Sequence, residues 1–157
     1  MIKKYYGYYH SPIGILEIIC SEDKLLSVMV IDKEKPRSES NLILENTIIQ
    51  LDEYFNGNRK EFDLKISLEG TDFQKQIWSE LMKIPYGRTL SYKELAIKIG
   101  NEKAVRAVGN ANGRNIIWVI VPCHRVIGTN GSLTGYAGGL GVKQWLLEHE
   151  KSFVNLK

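Results

Sequence analysis

A cysteine followed at once by a histidine, Cys123-His124 in the run Pro122-Cys123-His124-Arg125, is the pair in this chain best suited to nucleophilic chemistry. A thiol attacks only as the thiolate, and a free cysteine keeps its proton up to a pKa of about 8.5. A neighbouring base can remove that proton directly or through one water. Adjacent side chains on an extended chain point to opposite sides, so His124 need not touch the sulfur and can act through a water. A carboxylate should then orient the imidazole, and Glu150 near the end of the chain is the candidate. Taken alone, the dipeptide is a weak signal and fits better a buried cysteine beside a surface histidine. The other cysteine, Cys20, ends an apolar run and reads as a buried, inert thiol. The two form no Cys-x-x-Cys pair and no zinc pattern, so neither a metal nor a cofactor is expected.

The elements that must position these residues follow from pattern. The chain has 157 residues, enough for one ordinary domain or two small lobes. The first stretch reads as strands over 13–20 and 25–31, separated by Ser21-Glu22-Asp23. Leu44, Ile48, Leu51 and Phe55 make one helical face, stopped by Asn56-Gly57. Phe62, Leu64, Ile66 and Leu68 alternate with polar residues, the pattern of a half-buried strand. With Thr71 as N-cap, Phe73, Ile77, Leu81 and Ile84 predict a helix broken by Pro85-Tyr86-Gly87. Ser91 and Glu94 make a capping box for a short helix ended by Gly100-Asn101, and Asn101 can cap the next helix, which runs to about Asn112-Gly113. Two short helices around a Gly-containing turn predict a helix-turn-helix over about 91–113. The apolar run 116–121 is strand-like or extended, a Gly-rich loop spans 128–141, and a last helix covers 142–150 with Trp145, Leu146 and His149 to one side. The fold class expected is α/β two-lobed (α+β). Antiparallel strands plus a helix fill 1–70, and a mainly helical lobe with the helix-turn-helix and the Cys123 segment fills 71–157.

Charge divides the same way. Residues 1–70 carry nine Lys/Arg against twelve Asp/Glu, and residues 71–157 carry twelve against six. The second half therefore suits a polyanionic partner or is a solvated basic face. The second helix of the pair is built from Ala104, Val105, Ala107, Val108, Gly109 and Ala111, with Arg106 and Asn110 its long side chains and Arg114 just beyond. Such a thin helix fits a minor groove, about 6 Å wide, with Arg106 as the wedge into the base stack. It fits a plain packed helix as well. No apolar run approaches the ~20 residues needed to span a bilayer. The two lysines at the start are followed by no apolar segment of the signal-peptide kind, so the chain is expected in the cytoplasm, with no membrane partner.

The motif Pro122-Cys123-His124-Arg125-Val126, with Gly135-Tyr136-Ala137-Gly138-Gly139-Leu140 and Lys143-Gln144-Trp145-Leu146-Leu147 after it, resembles the O6-alkylguanine-DNA alkyltransferase (methylated-DNA–protein-cysteine methyltransferase) family. Gly87-Arg88-Thr89-Leu90-Ser91-Tyr92 and Ala104-Val105-Arg106-Ala107-Val108-Gly109 resemble it too, so the likeness covers roughly residues 73–150. The resemblance implies that Cys123 accepts the alkyl group, His124 is the base acting through a water, and Glu150 is its carboxylate partner. It implies that Arg106 fills the gap left by a flipped nucleotide. Tyr92 crowds the rotated phosphate and hydrogen-bonds or protonates guanine N3, and Asn115 ties the helix-turn-helix to the active-site segment. Tyr136 lines the pocket, and the carbonyls of Cys123 and Val126 accept from the guanine amino group. Many members carry serine where this chain has Ala137, but the backbone N–H that meets guanine O6 is retained.

The expected function is irreversible repair of O6-alkylguanine in double-stranded DNA, one transfer per molecule, by a monomer with no obligate protein partner. Lys93, Lys98, Lys103, Arg114 and Arg125 are the expected phosphate contacts, with Ala104 and Asn110 at the DNA face. A non-reactive sensor of alkylated DNA and a Cys-His hydrolase are the alternatives. The sensor would leave Cys123 unmodified, and the hydrolase would turn over repeatedly.

Overall fold

The computed structural model describes residues 2–132 and 139–155. The chain divides into two compact units, residues 1–67 and 68–157.

In the first unit three antiparallel strands, β1 (Tyr5–Ser11), β2 (Gly14–Cys20) and β3 (Leu25–Ile31), lie in the order β1-β2-β3. The sequence reading located β2 and β3. It passed over β1, whose tyrosine-rich Tyr5-Tyr6-Gly7-Tyr8-Tyr9 lacks an aliphatic alternation. Helix α1 (Leu42–Phe55) starts where the Asn41 side chain accepts from the Leu44 N–H at 2.9 Å, and it ends at Asn56. Its Leu44, Leu51, Tyr54 and Phe55 are buried, as are Leu16, Ile18, Cys20, Leu25 and Val28 of the sheet. Cys20 is a free, fully buried thiol that burial pushes up to about 11. The strand expected around Phe62–Leu68 is a correction. Burial alternates along residues 61–66, but pairing is confined to a single parallel bridge between Ile66 and Leu25. The Gln50 side chain takes the Asp63 N–H and carbonyl instead of a neighbouring strand.

In the second unit α2 (Asp72–Leu81) begins with a capping box of Thr71 and Gln74, and α3 (Tyr92–Lys98) with one of Ser91 and Glu94. Helix α4 (Val105–Gly113) packs on both. The Trp78 indole N–H pins it to α2 by donating to the Ala111 carbonyl at 2.8 Å. Asn101 does not cap α4. Ala104 holds that position without a side-chain bond, and Asn101 serves only through its carbonyl, which accepts from the Ala104 N–H at 3.0 Å. A two-residue strand β4 (Leu90–Ser91) pairs in parallel with β5 (Val126–Ile127), and α5 (Leu140–Phe153) closes the unit. Helix α2 stops at Leu81, short of the Ile84 that its apolar spacing suggested, and α5 extends beyond 142–150 at both ends. The described parts agree with the expected α+β class. No helix among the described residues is long and apolar enough to cross a membrane.

Candidate active site

The apolar run 116–121 is neither strand nor extended chain. It is a compact turn, buried from Ile117 on with Ile116 exposed, and Asn115 is the reason. Its Oδ1 accepts from the Ile117 N–H at 2.9 Å, and its Nδ2 lies 3.3 Å from the Ile117 carbonyl and 3.1 Å from that of Val121. The Trp118 indole donates to the Asn115 carbonyl at 2.9 Å. One side chain therefore satisfies backbone groups that a ladder would otherwise have to satisfy. Val119 adopts φ 73° within this turn, a conformation costly for a β-branched residue.

The turn delivers Cys123-His124-Arg125 as a single turn of 3-10 helix, not the extended segment expected. All three residues are buried. The Asn115 Nδ2 is 3.2 Å from Cys123 Sγ, and the Asn112 Nδ2 donates to the Cys123 carbonyl at 3.2 Å. Two asparagines, one at the end of α4 and one just after it, thus hold Cys123 by its sulfur and its backbone. Sequence reasoning found Asn115 through the family likeness and missed Asn112, whose one signal is a polar side chain on the buried face of α4.

Helix α5 supplies the charges. Lys143 and Glu150 are seven residues apart, two helical turns, so they share a face. Both are buried. Glu150 Oε2 is 2.7 Å from His124 Nε2, which puts the ring proton on Nε2. The His124 Nδ1 is buried with no hydrogen-bond partner among the described residues. Burial holds the His124 pKa below its ordinary value despite the opposing pull of Glu150. Burial alone would push the Glu150 carboxyl up, but His124 and Arg125 outweigh it and hold it well below the usual carboxylate range. The Lys143 ammonium donates to the Val126 carbonyl and lies 5.6 Å from the centroid of the Tyr92 ring. Burial pushes it down to about 8, with Cys123 opposing the shift. Lys143 is the second residue that sequence reasoning left without a role.

The parallel β4–β5 bridge sets Ser91 opposite Ile127 and Leu90 opposite Val126. It brings the start of α3, and so the buried Tyr92, alongside the chain leaving the 3-10 turn. Arg106, Asn110 and Arg114 are exposed, spaced four residues apart along one side of α4, and Ala104 is half-buried before it. Lys93, Lys98 and Lys103 are exposed as well. Arg125 departs from expectation. Its guanidinium is buried, with Nε and Nη2 on the two Glu150 oxygens at 2.8 and 2.9 Å and Nη1 on the Ile84 carbonyl at 2.7 Å. A side chain so engaged is not presented to a phosphate. Tyr136 and Ala137 lie outside the described residues.

The family description "6-O-methylguanine DNA methyltransferase, DNA binding domain" matches residues 72–152, and the "ribonuclease-like domain" of the same enzyme matches residues 4–68. The chain belongs to the 6-O-methylguanine DNA methyltransferase family. It is 48% identical over 154 residues to the methylated-DNA–protein-cysteine methyltransferase of Methanosarcina acetivorans, covering 94% of this chain and 99% of that one. It is 46% identical over 147 residues to the protein of that name from Mycobacterium tuberculosis, covering 90% and 89%. A crystal structure of the M. tuberculosis O6-methylguanine methyltransferase superposes with a TM-score of 0.89 at 42% identity, covering 99% of this chain and 97% of that chain. The M. tuberculosis OGT in complex with DNA superposes with a TM-score of 0.87 at 45% identity, covering 94% and 93%. Membership accounts for the pairing of a buried thiol with a helix-turn-helix in one unit.

Proposed function

We propose that this chain repairs double-stranded DNA by moving a methyl or other alkyl group from guanine O6 to Cys123 in a single, irreversible transfer. The observation that carries the reading is the His124–Glu150 contact at 2.7 Å with His124 Nδ1 left without a partner, one residue from a sulfur held by Asn115. A buried imidazole nitrogen lacking a partner is a costly feature unless a water or a proton uses it.

In this reading the target nucleotide leaves the stack at a cost of a few kcal/mol, and Arg106 fills the gap. The carbonyls of Cys123 and Val126 take the guanine amino group. The Cys123 proton passes through a water to His124 Nδ1, and Glu150 stabilises the imidazolium that results. Lys143, the buried cation near Cys123, favours the sulfur anion electrostatically. The thiolate then forms a bond to the alkyl carbon as the carbon–O6 bond breaks. Guanine leaves with that electron pair, its charge relieved by a hydrogen bond or proton from Tyr92 at N3. The thioether is stable, and no second nucleophile adjoins it among the described residues. Tyr136 and the Ala137 N–H would complete the pocket. Lys93, Lys98, Lys103 and Arg114 meet phosphates, with little sequence preference. The protein works as a monomer in the cytoplasm.

The test is mass spectrometry after incubation with duplex DNA carrying O6-methylguanine. Methylation should rise to one equivalent on Cys123 and stop, leaving Cys20 unmodified. Continued turnover, an adduct on Cys20, or binding without any adduct would each overturn the proposal, the last in favour of a sensor.

A further inference from the structure

The carboxylate that orients His124 is itself held from three further directions. Arg125 meets both of its oxygens, and the Gly87 N–H donates to Oε1 at 3.2 Å. The loop between α2 and β4 is shaped for this. Its Ile84 carbonyl takes the third guanidinium contact, and the Tyr86 ring centroid lies 5.7 Å from Arg125 Cζ. Gly87 has φ 77°, and a Cβ there would fall 2.5 Å from Val154 Cγ2. The loop thus needs glycine to bring its N–H to Glu150.

We infer that Arg125 is a positioning residue for the transfer: with the Gly87 N–H it fixes the Glu150 carboxylate in one orientation and offsets its charge, so that His124 rests neutral with Nδ1 open to the Cys123 proton. Without Arg125 the carboxylate could rotate about its own axis and would act on the imidazole with its full charge. A lone buried carboxylate would draw a proton onto His124, and a protonated His124 is no base. Arg125 Nη2 and His124 Nε2 share Glu150 Oε2, at 2.9 and 2.7 Å, so the two nitrogens stand within about 5.6 Å of each other. At that range, with an effective permittivity of about 20, a unit charge moves a titration by about two pH units. Among the described residues, Lys143 from α5 acts on His124, Tyr86 from the α2–β4 loop faces Glu150 and Arg125, Cys123 lies on the same turn, and Tyr92 from α3 lies beside Lys143. The inference rests on the alkyl-transfer reading and extends it to a residue that reads from sequence as a phosphate contact.

The experiment is the pH–rate profile of wild type, Arg125→Met and Arg125→Lys with free O6-alkylguanine base, together with the salt dependence of duplex DNA binding. In Arg125→Met the acid limb should move up by one to two pH units, on the order expected for removing one cation. At pH values below the acid limb the rate should fall by about tenfold for each unit of that shift. Arg125→Lys should return the limb most of the way, since it restores the charge but not the two-point contact. The salt slope of binding should be unchanged in both. A profile that keeps its position in both variants would reduce Arg125 to packing and overturn the inference. A salt slope smaller by about one, with free-base chemistry intact, would restore the phosphate role instead. If Arg125→Met does not fold, Arg125→Gln, which keeps a hydrogen-bond donor to Glu150 but not the charge, should show the same upward shift of the acid limb, and an unshifted limb in it would overturn the inference. Failure of the wild type to alkylate Cys123 at all would strike the underlying function, a result distinct from any of these.

Discussion

Lys143→Met should make the protein more stable at neutral pH relative to its parent than at alkaline pH. The side chain is 0% exposed, and burial pushes its pKa from 10.5 down to about 8. The folded value lies below the unfolded one, so between about pH 8 and 10.5 the unfolded chain binds more protons. Stability of the parent must therefore rise with pH across that window, and below it the whole penalty of folding around a charge is present. A shift of this size corresponds to at most about 3 kcal/mol, less where water screens the ammonium. Methionine removes the charge but leaves the Val126 carbonyl without its donor, at a cost of about 1–3 kcal/mol that does not vary with pH. The measurable quantity is thus the pH dependence of the difference. In denaturant titrations on a Cys123→Ser background, where the thiol cannot titrate, the advantage of Lys143→Met should shrink by about 2–3 kcal/mol between pH 8 and 10.5. A difference that stays flat across that range would mean the lysine is not held as a charge near the sulfur. In the protein with Cys123 intact, the same substitution should slow transfer, because the cation that favours the thiolate is gone.

Glu150→Gln should slow reaction with free alkylated guanine by about a hundredfold at neutral pH, a typical worth for assisted proton transfer, and the loss should narrow at higher pH as hydroxide makes the thiolate unaided. Profiles that superimpose would leave Glu150 a packing residue. Arg106→Ala should cost duplex repair at least about tenfold more than free-base reaction, because only the duplex demands flipping at a few kcal/mol; equal losses on both substrates would assign Arg106 to folding. Gly87→Ala forces a side chain to φ 77° and against Val154, so denaturation should show a loss of about 2 kcal/mol or more; a loss under about 0.5 kcal/mol would mean the loop shifts freely.

Local signals were legible and non-local ones were not. The Ser91–Glu94 capping box and the Asn56-Gly57 stop both appear as read, because each is a contract between residues three or fewer positions apart. The run 116–121 defeated a reading by hydrophobicity because apolar composition reports burial, not backbone shape. What decides the shape is the Asn115 amide, which captures backbone groups on both sides of the turn. The 3-10 turn at Cys123 escaped for the same reason. Burial alternates over residues 61–66, yet pairing with β3 stops at the one bridge through Leu25, and at Asp63 the Gln50 side chain takes the backbone groups that a longer ladder would use. Arg125 was misjudged through its type, a long cation read as a phosphate contact, and Lys143 was given no role; only the tertiary partners Glu150 and the Val126 carbonyl mark them as interior.

Those two cations explain how one buried site can serve a thiol that must become an anion. With Glu150 ionised and matched by Arg125, the first pair is electrically closed, and His124 rests neutral beside it. Lys143 is a further cation buried in the same unit. Burying a cation costs solvation free energy, and in the proposed transfer an anion formed at Cys123 offsets part of that cost. Burial lowers the Lys143 pKa and Cys123 opposes the shift, the attraction that thiolate formation would exploit. In the proposed product the sulfur is a neutral thioether, and that attraction is absent. Lys143 would therefore favour the ionised sulfur over both the resting thiol and the product. That is differential stabilisation of the charged reacting state over the resting one. A residue placed only for packing at this position would be apolar, and the chain has instead kept a lysine fully inside the fold.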